Sequence, residues 1–186
     1  MQALYGTDAA AQEYRLPAPW GSFILTESFG DVWEIAPSFD AVTEPDAAPA
    51  PIADTMGLLD DILQTGRNLT ADELTRLLST PRSQNFSAFT RKVLAAVAEI
   101  PAGNFVTYGD IAAAVGSPKA QQAVGRVLAA NPFFVLIPCH RVVSAAAKAA
   151  FDVLNPQTFQ TPAFLGRPEF AGIGAWLRLH DLATAA

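Results

Sequence analysis

Between Phe89 and Pro132 the chain is cut into three short helical segments by breakers at fixed places, and this punctuation restricts the fold more than any other feature. "SAFTRKVLAAVAEIP" carries Phe89, Val93, Leu94 and Val97 at helical spacing and must stop before Pro101. In "TYGDIAAAVG", Thr107 is a good N-cap, Asp110 stands three residues on in capping-box spacing, and Gly116 is a C-terminal stop. "SPKAQQAVGRVLAANP" restarts at once, with Ser117 expected as N-cap, Pro118 at the first helical position and Asn131-Pro132 as the break. Two short helices joined by a Gly-containing turn make a helix-turn-helix candidate. The second is rich in small residues (Ala120, Ala123, Gly125, Ala129, Ala130), with Lys119, Gln121, Gln122 and Arg126 between them. Small residues let a helix backbone come close to a neighbour, which can be another helix of the same chain or the wall of a DNA groove. Both readings stay open at this point.

The next stretch, "FFVLIPCHRVV", reads as a buried strand that delivers Cys139, the single cysteine of the chain. A lone thiol is either a small hydrophobe in a core or a nucleophile. A reactive cysteine needs its thiolate stabilised by a histidine, a positive charge or a helix N-terminus. "CHR" puts the imidazole of His140 and the guanidinium of Arg141 next in sequence. Adjacency is a modest signal, because consecutive residues of a strand point to opposite faces. One Cys and two His cannot build a structural zinc site of the usual thiolate-imidazole kind, nor can one Cys close an internal disulfide. The expectation is a protein of a reducing compartment with neither metal nor cofactor.

The first half is of a different kind. "PWGSFILTESFGDVWEIAPSF" reads as a hairpin around Phe29-Gly30-Asp31, after a loose start. "DAVTEPDAAPAPIAD" reads as a linker or long loop, and Trp20 and Trp33 as core. Met56, Leu59, Ile62 and Leu63 mark a helix stopped by Gly66; Thr70 and Glu73 open another that ends at Pro81. Residues 1–86 carry 4 Lys/Arg against 13 Asp/Glu, whereas residues 87–186 carry 8 against 5. An acidic first part and a mildly basic second part fit two modules, of which only the second suits phosphates, although chance drift of surface charge gives the same numbers. No signal peptide is visible and no apolar run is long enough to span a bilayer. The fold class expected is α/β of the α+β kind. A small N-terminal α/β domain (1–85) precedes a mainly helical, winged-helix-like C-terminal domain (86–186) with the helix-turn-helix.

"NPFFVLIPCHRVV" resembles the active-site signature of the 6-O-alkylguanine-DNA alkyltransferases, the methylated-DNA–protein-cysteine methyltransferases. The likeness extends from about Phe86 to Val143, through helix, tyrosine-bearing turn and helix-turn-helix in order, with an echo at "AWLRLHDL". The resemblance implies DNA repair by direct reversal. The helix-turn-helix docks in the minor groove of double-stranded DNA, an alkylated guanine is flipped out, and its alkyl group passes irreversibly to the cysteine. Flipping is a physical necessity, since the alkylated oxygen is out of reach inside a stacked duplex. By resemblance Cys139 is the acceptor, His140 the base acting through a water, Asp181 the carboxylate behind it, and Tyr108 the proton donor to the leaving guanine. Asn131 is then the hinge between recognition helix and active-site strand. Ser117, Lys119, Gln121, Gln122, Ala123 and Arg126 face DNA, and Pro138 and Arg141 are scaffold, Arg141 through an ion pair. A cytoplasmic or nucleoid-associated monomer follows.

The sequence departs from that pattern at three places. Gln122 stands where the family has an arginine that fills the place of the flipped base, and Arg126, four residues on, is the cation that could substitute. "WLRLHD" replaces the family's "W-L-L-x-H-E", so Asp181 is one methylene shorter than the usual Glu. After Val143 the chain lacks the short Gly-rich turn of the substrate pocket and instead carries a long segment with Phe151, Phe159 and Phe164. Three other readings compete: a non-catalytic damage-binding protein that recruits repair factors, a regulator using only the helix-turn-helix, and a thiol hydrolase drawing on His180. The retained Cys139 counts against the first, the absence of a sensor motif against the second, and the absence of an evident oxyanion loop against the third.

Overall fold

In the computed structural model, which describes residues 11–150 and 167–185, Phe29 and Gly30 turn the chain with φ of 59° and 78°. Two successive positive φ values give the two-residue turn whose twist matches its flanking strands. It joins β2 (Gly21–Ser28) to β3 (Asp31–Ser38) in antiparallel register, the hairpin expected. Residues 1–10 of the start expected to be loose lie outside the described residues, and from Gln12 on the chain is a strand. β1 (Gln12–Ala18) pairs antiparallel with β2, giving the order β1-β2-β3, and Tyr14, Leu16 and Ala18 alternate onto the core. Pro17 hides that alternation in the sequence, yet it is tolerated because β1 is an edge strand.

Two further boundaries differ from expectation. The Ala/Pro/Asp-rich loop ends at Pro49, because α1 (Ala50–Thr65) accepts Pro51 in its first turn, where backbone N–H groups need no helical partner. Its buried face is Ile52, Met56, Leu59 and Ile62, and Gly66 caps it in the left-handed region. α2 (Ala71–Leu77) has both bonds of the Thr70–Glu73 capping box, but Pro81 opens another turn, α3 (Pro81–Gln84). Trp20 packs edge-on against Phe23, Phe134 and Trp176, as core. Trp33 is only half-buried, beside Phe29 and under the Arg82 guanidinium at 5.2 Å.

One apolar cluster runs through both halves: Phe23, Leu25 and Ile35 of the sheet, Leu59 of α1, and Val93, Leu94, Phe133, Phe134 and Ile173 beyond. Each such side chain contributes about 1.5–3 kcal/mol by leaving water. Ile35 N–H also donates to Pro132 O at 2.7 Å, so the sheet holds the segment that leads to Cys139.

The second half contains α4 (Ala88–Ala98), β4 (Val106–Thr107), α5 (Tyr108–Ala114), α6 (Gln121–Ala129), β5 (Val142–Val143), α7 (Ala145–Ala149) and α8 (Ala171–Thr184). β4 and β5 pair in parallel. The Thr107–Asp110 capping box is complete. Ser117 does not cap α6. Gly116 N–H bonds Ala113 O and Ser117 N–H bonds Ala112 O, which closes α5 and leaves Ser117–Ala120 as a turn before α6 begins. "SAAAKAA" is the short α7, capped by Ser144. Phe151, Phe159, Phe164 and "NPQTFQTP" lie outside the described residues.

Candidate active site

Residues 132–138 are buried but do not form the strand expected of "FFVLIP". Phe133, Phe134 and Ile137 make only isolated bridges, and Val135 sits at φ 70°, a costly conformation for a β-branched residue. The loop is held by Asn131. Its Nδ2 donates to Ile137 O at 3.0 Å, and its Oδ1 accepts from Phe133 N–H at 3.1 Å. The Asn131 side chain also favours the thiolate of Cys139.

Cys139 opens a buried 3-10 turn, Cys139–Arg141. In such a turn successive side chains are about 120° apart rather than on opposite faces, so the objection that applies to a strand lapses. α8 packs against this turn and brings in Asp181. His140 Nε2 lies 3.0 Å from Asp181 Oδ2; Arg141 Nε donates to the same oxygen at 2.7 Å and its Nη2 to Oδ1 at 3.0 Å. Arg141 Nη1 bonds Asn68 Oδ1 at 2.5 Å and Ile100 O at 2.6 Å. Arg141 is therefore the structural ion pair expected, and it fixes the carboxylate. Asp181 reaches His140 directly, with no need for a longer side chain.

Burial holds Asp181 back from ionising, but the hydrogen bonds and charges of His140 and Arg141 outweigh it and keep the carboxyl down at about 2. Burial pushes His140 below its ordinary value despite that carboxylate, so the ring is neutral at pH 7. A neutral ring facing a carboxylate donates from Nε2, which leaves Nδ1 as the basic nitrogen. Nδ1 has no hydrogen-bond partner among the described residues. Burial pushes the Cys139 thiol up to about 11, against the pull of Asn131, backbone groups and Arg178. The thiol is thus protonated at rest and must give its proton to a base before it can attack.

Tyr108, at the start of α5, is half-buried, and its hydroxyl is raised by burial and by Cys139 and lowered by Arg178. Gly125 of α6 faces the Tyr108 ring, and a Cβ there would make an ordinary contact at 3.9 Å. Lys119, Gln121, Gln122 and Arg126 are exposed on the turn and on α6, while Ser117 and Ala123 are half-buried. Arg126 also lines a groove of about 570 Å³ with Arg82, Ser87, Phe89, Ala123 and Val127; Gln122 does not. His180 stacks on Trp176 and bonds Leu63 O, so it ties α8 to α1. Lys148 of α7 pairs with Asp110 of α5 at 3.5 Å.

Arg178 was not among the residues singled out in the sequence. It is 2 % exposed and shares the buried face of α8 with Ile173, Gly174, Leu177 and Asp181. The signal was present: an arginine three residues before Asp181, in line with apolar positions. Among the described residues no three His, Cys, Asp or Glu side chains cluster closely enough to hold a metal ion. No helix among them is long and apolar enough to cross a membrane.

Residues 88–157 match the family model described as the DNA binding domain of 6-O-methylguanine DNA methyltransferase. The chain is 47 % identical over 68 residues to the constitutive methylated-DNA–protein-cysteine methyltransferase of Bacillus subtilis, covering 37 % of this chain and 41 % of that protein. It is 44 % identical over 66 residues to the bifunctional transcriptional activator/DNA repair enzyme Ada of Escherichia coli, 36 % of this chain and 19 % of that one. The matched segment thus spans less than half the length of these curated relatives. The fold extends further. The crystal structure of Mycobacterium tuberculosis O6-methylguanine methyltransferase superposes with a TM-score of 0.65 at 19 % identity, covering 95 % of this chain and 96 % of that one. The Mycobacterium tuberculosis OGT structure in complex with DNA gives 0.59 at 20 % identity, covering 91 % and 92 %.

Proposed function

We propose that this chain is a 6-O-alkylguanine-DNA alkyltransferase, a single-turnover repair protein that takes the alkyl group of a flipped guanine onto Cys139. The observation that carries the reading is the buried Cys139, next in sequence to a His140 paired with Asp181, within a segment matched to that family's DNA-binding domain. Cys139 gives its proton to His140 through a water, and Asp181 steadies the imidazolium that results. The thiolate attacks the alkyl carbon; the S–C bond forms as the C–O bond to guanine breaks. Tyr108 protonates the departing guanine, and no cofactor enters the balance. Asn131 keeps the loop 131–137 in the shape that presents Cys139.

The partner is double-stranded DNA containing alkylated guanine, approached from the minor groove. Ser117, Lys119, Gln121, Gln122, Ala123 and Arg126 form the contacting surface. Gln122 cannot stack as a cation in the vacated site, and Arg126 supplies that charge one turn along. Residues 1–85 form the α/β domain that buttresses residues 86–186. The protein acts as a monomer, in the cytoplasm or on the nucleoid. Its test is direct: a duplex carrying 6-O-methylguanine is incubated with the protein, and the methylated peptide is mapped. Damage-selective binding with an unmodified Cys139 would favour the recruiting, non-catalytic reading.

A further inference from the structure

We propose that the groove shared by α3, the start of α4 and α6 holds the phosphate backbone of the DNA strand that runs past α6, with Arg82 as its anchoring cation. The inference rests on the alkyl-transfer reading and extends the DNA-facing surface into the first part of the chain. That part carries 4 Lys/Arg against 13 Asp/Glu, so its overall charge repels phosphates and Arg82 is a local exception.

Three observations carry it. The groove, of about 570 Å³, is lined by Arg82 of α3, Ser87 and Thr90 at the start of α4, and Ala123, Arg126 and Val127 of α6, and no carboxylate lines it among the described residues. Two guanidiniums and two hydroxyls without an acid match a polyanion. Arg126 stands four residues after Gln122, which on an α-helix is about 40° round the axis. Ala123 and Val127 lie further round the same side, so Arg126 joins the DNA-facing Gln122 to the groove, and a strand laid along α6 meets the groove next. Second, Arg82 is not consumed by the fold. Arg15 pairs with Asp40, and Arg67 with Asp61 and Glu73. Arg82 has neither an ion pair nor a side-chain hydrogen bond among the described residues, and its Nε is buried without a partner. Third, Arg82 is held in place. Its guanidinium lies 5.2 Å over the Trp33 ring, and Arg91 of α4 donates to Leu78 O at 2.6 Å and to Ser83 O, which ties α3 to α4. A cation fixed on a ring loses little side-chain freedom when a phosphate arrives.

The test measures binding of an undamaged duplex by fluorescence anisotropy over a range of salt, so it needs no alkyl transfer. The logarithm of affinity falls with the logarithm of salt by about 0.9 for each phosphate neutralised. Arg82→Gln is expected to reduce that slope by about 0.9 and to weaken binding about five- to tenfold near 0.1 M salt. Arg82→Lys is expected to keep the slope. Arg15→Gln removes the same charge from the same acidic part, at a residue already paired with Asp40, and is expected to leave the slope unchanged. Ser87 caps α4 by accepting from Thr90 N–H at 3.0 Å. Ser87→Asp preserves an N-cap but puts a carboxylate in the groove. It is expected to weaken duplex binding at least as much, and it decides the matter if Arg82→Gln does not fold by circular dichroism. An unchanged slope in Arg82→Gln, an equal loss in Arg15→Gln, or full affinity in Ser87→Asp overturns the assignment to DNA and leaves an acidic protein segment as the occupant. If binding follows Arg82 but a damaged duplex passes no alkyl group to Cys139, the repair reading fails and the groove assignment stands.

Discussion

His140 and Asp181 lie 41 residues apart in the chain and meet at 3.0 Å, and the oxygen they share is also held by Arg141 at 2.7 Å. The carboxylate therefore has two functions at once, orienting an imidazole and neutralising a buried guanidinium. Asp181→Asn keeps the shape but removes the charge. It is expected to slow single-turnover alkyl transfer by about 10²–10⁴ and to cost about 3–5 kcal/mol in urea unfolding, because Arg141 is left without its anion. A variant that keeps both rate and stability would show that the relay carries neither load.

Stability should depend on pH through the same residues. Asp181 is held below its ordinary 3.8, so its contribution is full above that value and disappears as pH falls towards about 2. His140 is also depressed, from 6.5, so the unfolded chain takes up a proton below pH 6.5 that the folded ring resists. Both effects have the same sign. Urea midpoints are expected to fall from pH 7 to 5 through His140, and again below pH 4 through Asp181. A flat profile over both windows contradicts the burial and pairing described.

Asn131 satisfies one backbone donor and one backbone acceptor of the buried loop, and its side chain favours the Cys139 thiolate. Asn131→Ala is expected to cost about 1–3 kcal/mol for the orphaned backbone groups. It should also shift the pH profile of Cys139 alkylation upward. Loss of stability without that shift would reduce Asn131 to scaffold.

On α6, Gln122→Arg is expected to raise transfer from duplex DNA, and Arg126→Ala to lower it, each by about tenfold, the scale of one cationic contact. Neither should change alkylation of Cys139 by iodoacetamide, since both side chains are exposed away from the buried relay. No gain in the first and no loss in the second would remove the substitution of Arg126 for the missing arginine.

The sequence was most legible where a residue's role is local. Thr107 and Asp110, Thr70 and Glu73, and Gly66 show their capping in three or four letters, and each cap is present. It misled where two local signals compete for one residue. Ser117-Pro118 reads as a helix start, but Ser117 is used in closing α5. "FFVLIP" reads as a strand because its apolar run and branched residues say so. Tertiary burial and the Asn131 side chain bend it instead through a left-handed Val135. The pairing of His140 with Asp181 was reached only through resemblance, since nothing in spacing alone joins them across 41 residues. Arg178 was missed because a lone arginine in an apolar helix reads as solvent-facing until the packing of α8 is known.

The most direct test of the account is the fate of the Cys139 sulfur. The protein is mixed with an excess of duplex oligonucleotide containing one 6-O-methylguanine, and intact mass and peptide mapping are read over time. The account predicts one methyl group per chain, located on Cys139, absent in Cys139→Ala, with no second turnover. An unmodified Cys139 in a protein that binds the lesion, or a methyl group on any other residue, would contradict it.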